Sequence, residues 1–77
     1  MDDGRTYEAL EVARTVMDNE AWVKNLTAIS DSRDRFRKIW GIVPAACRVA
    51  KLKLSEAEMS YACYKVSLWI DARMAAE

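Results

Sequence analysis

The sequence predicts an all-α fold, a small bundle of three to four helices that forms one domain over residues 1–77. Only two glycines and one proline occur in the 77 residues. Apolar residues recur at helical spacing, and no segment of convincing length alternates as a strand does. A chain of this length buries one thin core and is too short for two domains. Its apolar content of 52% favours a folded chain over a disordered one.

The first helix is expected over residues 6–19. Thr6 is its candidate N-cap, because a threonine hydroxyl can accept a hydrogen bond from a free amide of the first turn. Its apolar stripe consists of Tyr7, Leu10, Ala13 and Met17, widened by Ala9, Val12 and Val16.

The second helical region is expected over residues 20–40, and two interpretations of it remain open. Ser30, Asp31 and Ser32 favour caps and turns, so the chain can break there and start a shorter helix. Alternatively, one helix of about twenty residues runs through, because gaps of four and three continue across the segment. This spacing favours the continuous helix. The residues that show these alternating gaps are Trp22, Leu26, Ile29, Arg33, Phe36 and Trp40.

A break is predicted between Gly41 and Pro44. Glycine can adopt the left-handed backbone that ends a helix, and proline suits the first turn of the next one. Ile42 and Val43 would then form a short apolar connector. The third helix is expected over residues 44–52.

The last helix is expected over residues 56–75, and its start carries the clearest local signal in the sequence. Ser55 and Glu58 have the spacing of a capping box, in which each side chain bonds the other residue's backbone amide. Leu54 and Met59 flank this box as a hydrophobic staple.

This last helix has more apolar surface than one neighbour can cover. Its core face is predicted to be Met59, Ala62, Cys63, Val66 and Ile70. Much of the remaining girth is also apolar, which indicates a second neighbour. That neighbour is either another copy in a homodimer or a foreign partner. The side chains left over are Tyr61, Tyr64, Leu68 and Trp69.

The charge is balanced overall but unevenly distributed. Twelve acidic and twelve basic residues give a net charge of zero, which argues against a polybasic nucleic-acid binder on overall charge. Residues 32–53, however, hold seven basic residues and one acidic residue. This basic segment lies between two acidic flanks.

The residues needed for common catalytic or metal sites are missing. The chain has no histidine, so the usual general base and the commonest metal ligand are absent. Cys47 and Cys63 have no second pair to complete a zinc site and are expected to be free, small apolar residues. Glu56 and Glu58 are explained by helix capping. We expect no catalytic activity, no cofactor and no metal.

The location of the protein is inferred from two further patterns. The N-terminus is acidic and lacks the apolar run of a secretory signal, and no apolar stretch is long enough to span a membrane. We therefore expect a cytoplasmic protein that does not enter the membrane.

The candidate partner-binding residues come from the basic segment and from the last helix. Arginine next to aromatic residues suits an acidic protein groove or a nucleic acid. An ordinary solvated helix face has a similar composition, so both interpretations stay open. The candidates are Arg33, Arg35, Arg37, Lys38, Trp40, Arg48, Lys51, Tyr61, Tyr64 and Trp69.

Residues 48–62 weakly resemble a helix-turn-helix. Lys53 occupies the place where the turn usually has glycine, and Glu56 and Glu58 would repel phosphate. A nucleic-acid-binding regulator that uses residues 33–53 is therefore the alternative rather than the leading hypothesis. The apolar positions that carry the likeness are Val49, Leu52, Leu54, Met59 and Ala62.

The leading functional hypothesis is stoichiometric binding to a larger protein or protein complex. Small chains without catalytic motifs are often inhibitors or adaptors, a class that includes the short proteins phages use against host defence. We expect such an inhibitor or adaptor, acting as a homodimer.

Overall fold

A computed structural model describes residues 4–76, with side chains described from residue 7 onward. Its helices confirm the predicted all-α bundle. They pack into a body of 34 × 25 × 19 Å. In the described residues the helices are α1 (Gly4–Asp18), α2 (Glu20–Thr27), α3 (Ser32–Ala50) and α4 (Glu56–Ala76).

Helix α1 packs most extensively against α4. Its described residues are helical from Gly4 onward, so Thr6 lies inside the helix and the predicted cap there is wrong. The predicted stripe is also rotated, because Tyr7 is largely exposed while smaller residues face the core. Small side chains allow two helix backbones to approach closely. The fully buried residues are Ala9, Val12, Ala13 and Val16.

Helix α2 is short and does not continue into α3. Asn19 caps its start by accepting a hydrogen bond of 3.0 Å from the Trp22 amide. The helix ends at Thr27, so the predicted continuity through residues 30–32 is wrong. The reason is Asp31, which has an extended backbone and caps α3. Its Oδ1 accepts hydrogen bonds from the amides of Arg33 and Asp34, at 2.8 and 3.1 Å.

Helix α3 runs without interruption through Gly41 and Pro44. The predicted break between them, and a separate helix over 44–52, are therefore wrong. A proline inside a helix costs about 3 kcal/mol, but the helix gains burial on its other side. The buried face continues along α3 from before Gly41 to after Pro44. It consists of Ile39, Ile42, Val43 and Ala46.

Helix α3 ends with a residue in the left-handed conformation. Lys51 has φ 60° and ψ 40°. Its amide donates to the Arg48 carbonyl at 3.2 Å, and the Leu52 amide donates to the Cys47 carbonyl at 3.0 Å. This is a Schellman pattern, in which glycine is the usual left-handed residue.

The predicted start of α4 is confirmed. The Ser55 amide donates to Glu58 Oε1 at 2.7 Å, and the Glu58 amide donates to Ser55 Oγ at 3.2 Å. The predicted core face is confirmed as well, with Met59 half-buried at its start. Its fully buried residues are Ala62, Cys63, Val66 and Ile70.

Candidate functional site

The side of α3 that faces away from the core carries Arg33, Arg37 and Arg48, and Lys51 follows directly after the last residue of the helix. We call these four exposed basic residues the basic face. They lie within about 60° of one another on the helical wheel and extend along about 27 Å of the helix. All four belong to the sequence-predicted site. The structure therefore brings together the two ends of the basic segment, because α3 continues where a break was predicted.

An aromatic pair lies along one edge of the basic face. The rings of Phe36 and Trp40 are 6.4 Å apart and meet edge to face at 81°. They contribute to a groove of about 600 Å³, which we call the aromatic groove. Its lining residues come from α3 and α4 and are Ser32, Arg33, Phe36, Arg37, Trp40, Ser67 and Asp71.

A second groove lies further along α3, where the chain turns into α4. We call it the connection groove, and its volume is about 550 Å³. Apolar side chains and the Cys47 thiol make up most of its lining, and three basic residues complete it. The lining residues are Pro44, Cys47, Arg48, Lys51, Leu52, Lys53, Leu54 and Met59.

Several residues on this side of α3 are unfavourable for the helix itself. Arg33 is a cation in the first turn, where the helix dipole favours anions. Gly41 and Pro44 lower helix stability from inside the helix. Lys51 has the left-handed backbone that only glycine adopts without strain. These four residues fall within about 80° of one another on the helical wheel.

Arg35 is the one buried member of the predicted site among the described basic residues. Its Nη1 donates to the Ile29 carbonyl at 2.7 Å, and its Nη2 forms an ion pair with Asp71 Oδ1 at 2.9 Å. The guanidinium therefore fastens the α2–α3 connection to α4. We assign Arg35 a structural role and do not include it in the contact surface.

Lys38, another predicted site residue, is exposed but lies apart from the basic face. It follows Arg37 directly and is therefore turned by about 100° around the helix. It extends the positive charge of α3 sideways without lining either groove.

The predicted aromatic residues of α4 are separated by the fold. Tyr64 is 54% exposed and Leu68 is 42% exposed, whereas Tyr61 and Trp69 are half-buried against the core. Lys65 Nζ lies 6.0 Å from the Trp69 ring, within cation–π range. The expectation that these apolar side chains are not all hidden is confirmed. We call Tyr61, Tyr64 and Leu68 the outer ridge of α4.

The two cysteines are free thiols, as predicted. Burial raises the pKa of the Cys47 thiol. Burial, with a smaller contribution from Cys47, raises the pKa of Cys63 from 9.0 to about 12. Neither thiol is therefore activated as a thiolate nucleophile near neutral pH.

The likeness to a helix-turn-helix weakens in three dimensions. Val49 stands at a position that is apolar and packed in that motif, yet it is 64% exposed here. Glu56 and Glu58 lie in the first turn of the would-be recognition helix. This end of α4 therefore presents carboxylates where a DNA reader presents donors and cations.

The sequence predicts the basic residues of this site, but it does not predict the two grooves. Phe36, Trp40, Pro44 and Cys47 follow one another at gaps of four, four and three, which is helical spacing. The predicted break at Gly41 hid this regularity. The sequence predicts Leu52, Leu54 and Met59 as apolar positions of a helix pair, and Leu54 and Met59 also as a staple. It does not indicate that all three line the connection groove.

Within residues 4–76, no group of three or more metal-ligating side chains is close enough to hold an ion. None of the helices in this part of the chain has both the length and the apolar character needed to cross a bilayer. Comparisons with protein-family models, curated proteins and solved structures find no match to this chain.

Proposed function

We propose that this protein is a non-catalytic inhibitor or adaptor that acts in the cytoplasm by binding an acidic surface of a larger protein. The contact is made by the basic face of α3 together with the Phe36–Trp40 pair. Binding is stoichiometric, and no cofactor or metal takes part in it.

The observation that carries this proposal is the concentration of helix-unfavourable residues on one side of α3. Arg33, Gly41 and Pro44 each lower the stability of α3, and the left-handed backbone of Lys51, directly after its last residue, adds strain at the helix end. Natural sequences break local folding rules mainly where function requires it. A merely solvated face has no need of four such residues, so their position supports a binding role for this surface.

The chemistry of the surface agrees with a protein partner. Arginine forms planar, paired hydrogen bonds with carboxylates, and it is enriched with tryptophan in the residues that dominate binding energy. Arg33 and Arg37 lie beside the Phe36–Trp40 pair in the aromatic groove. Such a groove can take an apolar side chain while the arginines bind carboxylates around it.

Capture from lysate of the native host, followed by mass spectrometry, tests this proposal. The variant Arg33→Glu/Arg37→Glu is compared with Arg14→Glu/Lys24→Glu, which makes the same change of charge at exposed positions on α1 and α2. We expect the α3 variant to lose the captured partner and the control to retain it. Equal capture by both variants would contradict the proposed contact.

The proposal includes a homodimer formed through the outer ridge of α4. Support comes from the exposure of Tyr64 and Leu68 on the side of α4 away from its buried face. Light scattering after size exclusion should give a mass twice the 8.8 kDa of one chain. Tyr64→Lys/Leu68→Lys should then elute as a monomer, and a wild-type monomer would rule out this part of the proposal.

A nucleic-acid-binding regulator is the second candidate. The feature that favours it is the row of basic residues flanked by aromatic rings on α3, which could contact phosphates and stack on bases. The response to salt separates the two candidates. For binding to phosphates, the logarithm of the binding constant falls steeply and linearly with the logarithm of the salt concentration. A mobility-shift assay with mixed DNA and RNA at low salt should show no retardation if the partner is a protein.

A further inference from the structure

The two grooves of α3 follow one another along the same edge of the helix. Phe36 and Trp40 line the aromatic groove, and Pro44 and Cys47 line the connection groove. The midpoints of these two pairs are between seven and eight residues apart, which corresponds to about 11 Å along an α-helix. One rigid element of a partner can therefore reach both grooves at once.

We propose that the occupant is an acidic amphipathic helix of the partner that places one apolar side chain in each groove. This inference rests on the proposed function and deepens it by specifying the partner segment. Apolar side chains at positions i and i+7 of a helix lie on one face about 10.5 Å apart. This spacing agrees with the separation along α3 between the Phe36–Trp40 pair and the Pro44–Cys47 pair.

The charges of the site determine the rest of the partner segment. Arg33 and Arg37 line the aromatic groove, whereas Arg48, Lys51 and Lys53 line the connection groove. Aspartate or glutamate residues beside each apolar anchor would face these cations. Complementary charge of this kind speeds association and fixes the register of the two helices.

A helix suits this surface better than an extended chain. The described part of the protein is helical and offers no sheet edge to which a strand could add. An extended peptide would also leave backbone amides unpaired over apolar lining residues such as Leu52 and Leu54. A helix satisfies its own backbone hydrogen bonds and presents only side chains.

Fluorescence anisotropy with designed peptides tests the inference. The probe is a labelled, lactam-stapled glutamate-rich helix with leucines at i and i+7. The matched control has the same composition, but its second leucine is at i+9, which turns that side chain to the opposite face. We expect the probe to bind at least tenfold more tightly than the control, because one anchor stays exposed in the control.

Variants of the protein assign the anchors to the grooves. Phe36→Ala alters the aromatic groove and Leu54→Ala alters the connection groove. Each is expected to reduce the tenfold preference for the probe to less than threefold. Val49→Ala removes an exposed apolar side chain outside both grooves and should leave the preference unchanged. Circular dichroism of each variant establishes that the helices are intact.

Other outcomes separate this inference from the proposed function. If the probe, the control and an unstructured glutamate peptide bind equally, and Arg33→Glu/Arg37→Glu abolishes all binding, the helix is wrong and acidic recognition stands. Tighter binding of an extended peptide with anchors four residues apart would also overturn the helix. Absence of binding by every peptide overturns the inference, whereas the proposed function is judged by the capture experiment.

Discussion

The interface between α1 and α4 and the outward side of α3 differ in the kinds of residue that they contain. The first uses small and branched apolar residues in continuous helices, and Val12, Val16, Val66 and Ile70 are completely buried. The second gathers exposed cations, a glycine and a proline on one helix. The comparison shows that the α1–α4 packing uses residues that stabilise the fold, while the outward side of α3 carries residues that lower the stability of that helix. We propose that this second set serves the contact surface.

Ile70→Ala is the largest expected effect and tests the stabilising side of this comparison. The side chain is fully buried in the core, and removing three of its carbons leaves a cavity there. Such substitutions cost about 2–5 kcal/mol in the free energy of unfolding. Urea unfolding followed by circular dichroism measures the loss. A cost below about 0.5 kcal/mol would contradict the assigned core.

Arg35→Ala tests a basic residue of α3 that belongs to the fold rather than to the surface. It leaves the Ile29 carbonyl without its 2.7 Å hydrogen bond and breaks the ion pair with Asp71. We expect a loss of about 1–3 kcal/mol in unfolding free energy. Arg37→Ala, two residues along and exposed, is the control and should change it by less than about 0.5 kcal/mol. Equal effects would remove the distinction.

The pH dependence of stability tests the burial of Cys63 in the core. Its pKa is raised to about 12 in the folded protein, so the folded state holds this proton more tightly than the unfolded state. The resulting stabilisation is fully present below about pH 9 and is lost as the pH rises toward 12. The stability difference between the wild type and Cys63→Ala should shrink by roughly 1 kcal/mol per pH unit in that window. A difference independent of pH would contradict the burial of this thiol.

Gly41→Ala is the smallest expected effect and has the opposite sign. A Cβ at this exposed helical position meets nothing within 4 Å, and alanine is the better helix former. We expect a gain of about 0.5–1 kcal/mol in unfolding free energy. Thermal unfolding gives a direct comparison with the wild type. A loss of stability would show that α3 needs glycine here for its own structure.

Local signals predicted α4 well. The capping box of Ser55 and Glu58 and the buried face of α4 follow from the sequence because each depends on neighbours within one or two turns. Helix α3 could not be predicted in the same way. Gly41 and Pro44 are normal signals for the end of a helix, and only the burial of Ile42 and Val43 in the tertiary structure overrides them.

The candidate site was predictable in its charges but not in its shape. Arg33, Arg37, Arg48 and Lys51 stand out in the sequence by composition. Whether they share one face depends on the continuity of α3, which local signals contradicted. The burial of Arg35 depends on Asp71, thirty-six residues further along, and no local pattern specifies that pair.

The triple variant Arg33→Glu/Gly41→Ala/Lys51→Gly tests the central claim most directly. Each change favours the helix or its end, so the free energy of unfolding should rise by about 1–2 kcal/mol. Titration against the partner captured by the wild type should show at least tenfold weaker binding. A variant that is more stable and still binds with wild-type affinity would contradict the claim that α3 gives up stability for binding.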